Sequence, residues 1–332
     1  MGSDPIALPV LNFLHSSSGK DYQLCGIISQ PDRPSGRGQK VSPNEISSWA
    51  LEKNLKLFRP EKPSEEELSW LRNEHIDLVL VWAYGHIIKK DFLNTPPLGM
   101  LNFHGSLLPA YRGASPVETA IACGETVTGI TLMQMIAKMD AGDMLDKEAV
   151  DISLSDTSSS LRLKLAEAGV PLIERNLPNI LEGKCQFQPQ DEAKVTYTRK
   201  INKEDGWLNF NAPAKELANR VRAFNPWPGA FFKIEGTVIK IGSCKMVEEK
   251  SDFDLFSSNS AQSPGTLVLN KDKLLIATGQ GILDIISLQR PGGKMLNVRD
   301  FLRGFPLRES MKIENGPMPP LTSQEPFPWK SK

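Results

Sequence analysis

Three polar side chains stand out because their types and spacing suit one kind of chemistry. Asn102 and His104 lie two apart in MLNFHG, and Asp140 follows in MDAGDML. Met100 to Phe103 reads as a short buried strand ending in a turn. Strand side chains alternate between faces, so Asn102 and His104 project one way and Phe103 points into the core. At the carboxyl end of a strand, an amide donor and an imidazole on one face suit a carbonyl whose oxygen becomes an oxyanion. Asp140, in a glycine-containing turn, is placed to orient His104 or to balance its charge. Singly, each residue has an ordinary reading: a structural histidine, an asparagine before a Gly-Ser turn, a turn aspartate. The combination is what points to a site. Asp143, close by, reads as solvent-exposed or as a turn hydrogen-bond partner.

The elements around these residues alternate between helix and strand. Asp4 and Pro5 suit the cap and first turn of a helix to about Leu14. Tyr22 to Ser29 is strand-like, Asn44 caps a helix to about Asn54, and Glu65 to Glu74 supplies another. The run DLVLVWA, Asp77 to Ala83, is near-continuously apolar, as expected of a parallel strand covered on both faces. Pro116 to Cys123 reads as a helix, Gly129 to Met135 as a strand, and Thr157 to Leu181 as a helix or helix pair. This order predicts an α/β domain with a parallel sheet. Past a polar stretch, Gly183 to Ile201, the pattern changes. After a helix over Glu216 to Phe224, short strands with glycine turns predict a small barrel. Trp227, between two prolines, reads as an interface residue or core plug.

With 332 residues, 40% hydrophobic and 23% charged, the chain has the make-up of a water-soluble globular protein with one large or two ordinary domains. It has no apolar run of membrane-spanning length and no signal or transit peptide pattern, which makes the cytoplasm the expected location. The four cysteines are far apart, without CxxC or histidine at ligand spacing, so no metal site is expected. Net charge is zero, but from Gly206 onward 17 Lys and Arg face 12 Asp and Glu, against 22 and 27 before it. That asymmetry permits a nucleic-acid face on the C-terminal part without requiring one.

The segments NFHGSLLPAYRGASPVETAI and TGITLMQMIAKMDAGDML, with QPDRPSGRGQK upstream and RAFNPWPGAFF downstream, carry a resemblance over roughly Gly2 to Arg303. They resemble the 10-formyltetrahydrofolate-dependent formyltransferase family, and within it the branch whose acceptor is methionyl initiator tRNA. The resemblance implies a Rossmann-like parallel-sheet formyltransferase domain over 1–184, a linker over 185–203, and an OB-like C-terminal tRNA-binding β-barrel over 204–315. Residues 316–332 are expected to form a disordered tail. The family's matching glycine follows a first strand, and here only MGS precedes the helix. The first strand is therefore expected to be missing, through a start assigned too late or because the chain is a fragment.

The resemblance also implies roles. Asn102, His104 and Asp140 would be catalytic, the first two stabilising the oxygen of a tetrahedral intermediate while His104 or Asp140 handles the proton. Ser106, Leu107, Leu108 and Pro109 match the folate-contacting segment, with backbone amides at the pterin edge and the leucines walling the ring, and Tyr84 lines the cleft through its backbone. Arg33, Arg37 and Lys40 fall in the loop that meets the acceptor end of the tRNA, and Arg112 would steady a folate glutamate or the RNA backbone. The implied co-substrate is 10-formyltetrahydrofolate, the partner initiator methionyl-tRNA, with no membrane, no metal and a monomeric state. Left open are a small formyl acceptor, formyl-folate hydrolysis, and a noncatalytic RNA- or folate-binding module.

Overall fold

The computed structural model describes residues 1–35, 40–247, 263–270, 273–308 and 311–328. The chain forms two compact units: Met1–Pro116 with Val127–Asp151 and Arg162–Tyr197, and Val117–Thr126 with Ile152–Leu161 and Thr198–Lys332. The first thus keeps much of the stretch expected to be a linker.

In the first unit Asp4 accepts a hydrogen bond from the Ile6 N–H, and Pro5 opens a single 3-10 turn into α1 (Leu8–Ser16). There follow β1 (Gly26–Ile28), the hairpin β2 (Arg33–Ser35) and β3 (Lys40–Ser42), and α2 (Glu45–Glu52), whose cap Asn44 accepts from the Ser47 N–H. After β4 (Lys56–Phe58), α3 (Glu65–Asn73) starts where the Glu67 carboxylate accepts from the Ser64 N–H and hydroxyl. Next come β5 (Val79–Val81), α4 (Lys90–Leu93), β6 (Met100–His104) and β7 (Arg112–Gly113), and then α5 (Pro116–Cys123), which past its first residue belongs to the second unit. The hairpin β8 (Val127–Gln134) and β9 (Met144–Asp151) then leads to α6 (Ser158–Leu181).

Pairing is parallel between β5 and β6, as the apolar run Asp77 to Ala83 predicted, and between β1 and β4, the latter a strand not expected from the sequence. Beyond β6 the sheet turns antiparallel: β8 pairs antiparallel with β6, and β9 follows as the second arm of a hairpin, with no crossover helix between β8 and β9. At the head of the sheet, where a first strand was expected to be missing, Met1 and Gly2 lie between β1 and β5. The Gly2 N–H donates to the Ile28 carbonyl at 3.1 Å and the Trp82 N–H to the Met1 carbonyl at 2.9 Å. Burial pushes the terminal amine, which donates to the Leu80 carbonyl, from 8.0 down to about 5. Beside it remains an apolar void of about 30 Å³, the room of roughly one water.

Packing beneath β6 fixes the orientation of its polar face. Phe103 is buried and stacks on Trp82, with ring centroids 4.8 Å apart. Gly169 of α6 lies over that tryptophan so closely that a Cβ would come within 2.5 Å of its ring. With Phe103 held on that side, Asn102 and His104 must face the other.

The second unit is a curled antiparallel sheet, a half-barrel consistent with the OB-like expectation. Its elements are α7 (Ala214–Ala223), β10 (Ala230–Ile234), β11 (Thr237–Met246), β12 (Leu267–Asn270), β13 (Lys273–Ala277), β14 (Ile282–Gln289) and α8 (Val298–Gly304). The strand order is β12-β13-β14-β11-β10. Register shifts between Ile241 and Cys244 bend β11 where it pairs with β14. Phe210, Leu217, Phe232, Ile239, Leu283 and Phe301 fill the core.

Two expectations change here. Trp227 is 52% exposed, so it is no core plug. The segment after Asn315, expected to be disordered, packs on the unit as far as Leu321. The Gly316 N–H donates to the Leu208 carbonyl at 2.8 Å, Asn209 N–H points at the Met318 sulfur, and Leu321 is buried. Among the described residues no helix is long and apolar enough to cross a membrane.

Candidate active site

β6 delivers His104 at its last residue, and β8 stands beside it with Thr131 directly opposite His104. His104 is 5% exposed. Its Nε2 lies 2.9 Å from the Tyr111 carbonyl oxygen, and since a carbonyl can only accept, Nε2 carries a proton there. Its Nδ1 lies 3.6 Å from Asp140 Oδ1. That is too long for a hydrogen bond, so Nδ1 is not committed to Asp140 and is the ring nitrogen left to meet a ligand. The other oxygen of Asp140 accepts from the Gly113 N–H at 2.9 Å. Asp140 has a positive φ of 50°, and in the same turn Gly142 leaves no space for a side chain, a Cβ falling 1.9 Å from the Gln134 carbonyl oxygen. The three residues singled out from sequence thus share one locality. Asn102 is half-buried, and its amide makes no hydrogen bond among the described residues.

The loop after β6 is tightly held. Ser106 is buried, and its hydroxyl donates to the Ala110 carbonyl at 2.6 Å. Thr131 Oγ1 donates to the Ser106 carbonyl at 2.7 Å and accepts from the Leu108 N–H at 3.0 Å. The Lys147 ammonium, which burial holds below the usual lysine range, donates to the Leu108 carbonyl. The Leu108 side chain is buried with Met133 and Met144, and Leu108–Pro109 is a cis peptide. The side chain of Leu108 therefore anchors the loop and its amide is already bonded; half-buried Leu107 and Pro109 are what the loop offers a ring. Tyr84 is buried in the core, and its carbonyl accepts from Gln30 Nε2 at 2.8 Å and from the Ser3 hydroxyl.

Arg112 lies elsewhere than its expected role required. It is fully buried, with Nε donating to Gln190 Oε1 and Nη2 to Glu192 Oε1, each at 2.9 Å. A folate glutamate or an RNA phosphate does not reach it. The hydrogen bond from Arg112 holds the Glu192 carboxyl below its ordinary range. Of the basic hairpin, Arg33 pairs with Glu61 at 2.9 Å, Lys40 is exposed, and Arg37 lies outside the described residues. Sequence reasoning missed Thr131, Lys147 and Gln190. Thr131 had a faint signal, a hydroxyl inside the apolar run of β8; the other two had none.

His104 and Asp140 lie beside a tightly held loop at the end of a sheet strand, with Asn102 two residues earlier on the same strand, an arrangement compatible with acyl transfer. Residues 5–177 match the formyl transferase family and residues 200–306 the formyl transferase C-terminal domain. The chain belongs to the formyltransferase family. It is 38% identical over 285 residues to a methionyl-tRNA formyltransferase of Pseudoalteromonas translucida, covering 86% of this chain and 87% of that one. It is 37% identical over 307 residues to a methionyl-tRNA formyltransferase of Methylococcus capsulatus, covering 92% and 96%. Among solved structures, a sugar 3N-formyl transferase determined with dTDP and 5-N-formyl-THF shares the fold. Its TM-score is 0.63 at 20% identity, over 88% of this chain and 97% of that one.

Proposed function

We propose that the chain transfers the formyl group of 10-formyltetrahydrofolate to the α-amino group of methionine on initiator tRNA, giving N-formylmethionyl-tRNA for translation initiation. The observation that carries this reading is the His104–Asp140 pair, 3.6 Å apart, in a chain 37–38% identical to methionyl-tRNA formyltransferases over most of its length. The residues suit a folate donor: an uncommitted Asn102 amide, the working Nδ1 of His104, and the apolar surface of Leu107 and Pro109 on a loop fixed from behind. When bound, 10-formyltetrahydrofolate supplies the formyl carbon as electrophile.

The protein's part is electrostatic and positional. Asn102 and protonated His104 hold the carbonyl oxygen as it gains charge, and a preorganised donor of this type is worth roughly 3 to 4 kcal/mol. Asp140 keeps the imidazolium charge balanced. With His104 already protonated, Asp140 is the base that would take the attacking amine's proton, and His104 would give its proton to the folate nitrogen that leaves as the bond from that nitrogen to the formyl carbon breaks. Because Nε2 is fixed on Tyr111, the ring presents Nδ1 without searching other orientations. Arg33, Lys40 and, outside the described residues, Arg37 would contact the acceptor end of the tRNA as sequence-independent phosphate ligands. The reaction then belongs in the cytoplasm, with the enzyme acting as a monomer.

The test uses purified full chain and a formyl-labelled donor with each acceptor in turn: initiator methionyl-tRNA, elongator methionyl-tRNA, an amino-sugar nucleotide, glycinamide ribonucleotide, and water alone. Label on the methionine of initiator tRNA is the expected result. Label on a small amine, or free formate as the main product, overturns the proposal.

A further inference from the structure

The segment between residues 188 and 196 reads from sequence as linker, yet it is bonded to the turn that carries Asp140 and to the residue that holds His104. Gln188 exchanges two backbone hydrogen bonds with Met144, each 2.8 Å long. Thr196 accepts from the Arg112 N–H through its carbonyl, at 2.8 Å, and from the Tyr111 N–H through its hydroxyl, at 2.9 Å. Tyr111 is the residue whose carbonyl holds His104.

Gln190 sits between these anchors, buried, with its carboxamide fully used. Nε2 donates to the carbonyls of Asp140 and Gly142, both at 2.8 Å, and Oε1 accepts from Arg112 Nε at 2.9 Å. Both carbonyls belong to the turn in which Asp140 adopts a left-handed conformation, uncommon for a residue other than glycine though aspartate tolerates it better than most. The Arg112 bond decides which end of the carboxamide faces the turn, because a guanidinium offers only donors. One side chain thus ties the Arg112 strand, next to the His104 anchor, to the turn that carries Asp140.

We propose that Gln190, oriented by Arg112, is a positioning residue that sets the separation of His104 and Asp140. It touches neither substrate. It fixes the two carbonyls that hold the Asp140 turn in its left-handed form, and so keeps the carboxylate facing Nδ1. The proposal rests on the formyl-transfer reading of the site.

The informative variant is Gln190→Glu. It keeps an acceptor for the buried Arg112, so folding is retained, but it removes both donors and sets a carboxylate oxygen against two carbonyls. Expected is a 10- to 100-fold fall in kcat, with KM for donor and for methionyl-tRNA each within twofold of wild type. Arg112→Lys, which keeps the charge and loses the fixed Nε geometry, should fall less, and Lys138→Ala, removing an exposed cation next to Glu192, should not change kcat. A kcat for Gln190→Glu within twofold of wild type overturns the proposal, as does a loss confined to KM. A second readout needs no substrate: ¹⁵N spectra of labelled histidine, His104 assigned through His104→Asn. The ring nitrogens of His104 should shift in Gln190→Glu and stay in place in Lys138→Ala. Unmoved His104 signals sink the positioning role even if the acceptor assignment proves wrong, and wild-type protein inactive on methionyl-tRNA sinks that assignment alone.

Discussion

Two polar regions of the first unit are built in opposite ways. Around His104 the protein's polar atoms are committed to one another: Nε2 to Tyr111, the Ser106 hydroxyl to Ala110, Thr131 to both sides of the loop, Gln190 to both sides of the Asp140 turn. In the β2–β3 hairpin the cations face water. Arg33 is 57% exposed, and its partner Glu61 is more exposed still. A buried donor aimed at one oxygen acts through low dielectric and fixed geometry, so its worth depends on not moving. An exposed cation acts over a distance, through a field that salt screens, and tolerates motion. The first arrangement suits bond-making and the second suits docking a polyanion. That division lets each region be broken without the other.

The largest effect is expected at the working atoms. His104→Ala should lower kcat by a factor of hundreds or more, the rate equivalent of roughly 3 to 4 kcal/mol, with tRNA affinity unchanged. Asn102→Ala should lose a similar factor for the same reason. Asp140→Asn should reduce kcat while leaving the bond to the Gly113 N–H able to form. Single-turnover rates alongside filter binding to methionyl-tRNA separate turnover from docking. Equal losses in rate and affinity would erase the contrast between the two regions.

The middle effect lies in the loop support. Thr131→Val preserves shape but leaves the Ser106 carbonyl and the Leu108 N–H without a partner, at a cost of about 1 to 3 kcal/mol in stability. It should also lower kcat/KM for the formyl donor about tenfold while KM for the tRNA holds, because the donor side of the site is what loosens. Thr131→Ser, which keeps the hydroxyl, should restore most of both. Thermal unfolding with steady-state kinetics on the two variants checks it, and a Thr131→Val enzyme with wild-type donor kinetics would mean the loop needs no such clamp.

What was legible in the sequence follows the same division. Period and capping gave α1, α2, α3 and α6, because Asp4, Asn44 and the apolar spacing act locally. Asn102 and His104 could be put on one face because side-chain alternation on one strand fixes which residues share it, whatever the rest of the chain does, whereas Asp140 was singled out by its glycine-containing turn and by the family resemblance. Arg112 and Leu108 misled, since an arginine or a leucine beside a site looks the same whether it turns out or in; only burial decides. Gln190 was invisible. Its role is made by three bonds to residues between 48 and 78 positions away, and no local pattern encodes those. The antiparallel half of the sheet escaped for a related reason: the short turn between β8 and β9 was visible, but which strand pairs with β6 is a nonlocal choice.

The smallest effect is expected in the hairpin, and it is the sharpest test of the contrast. Lys40→Ala removes an exposed cation with no ion pair among the described residues, so nothing in the fold depends on it. If it meets a phosphate, the loss is one released counterion. The slope of log affinity for tRNA against log salt should then fall by about one, with affinity dropping a few-fold near physiological salt and kcat unaltered. Arg33→Ala should do somewhat less, because its guanidinium must first leave Glu61, and a surface pair of this kind is worth roughly 0 to 1 kcal/mol. Binding titrations at four or five salt concentrations give both slopes. A Lys40→Ala protein whose kcat falls while its salt slope stays fixed would place that residue with the chemistry instead, and the separation between an inflexible reaction centre and an adaptable docking arm would fail.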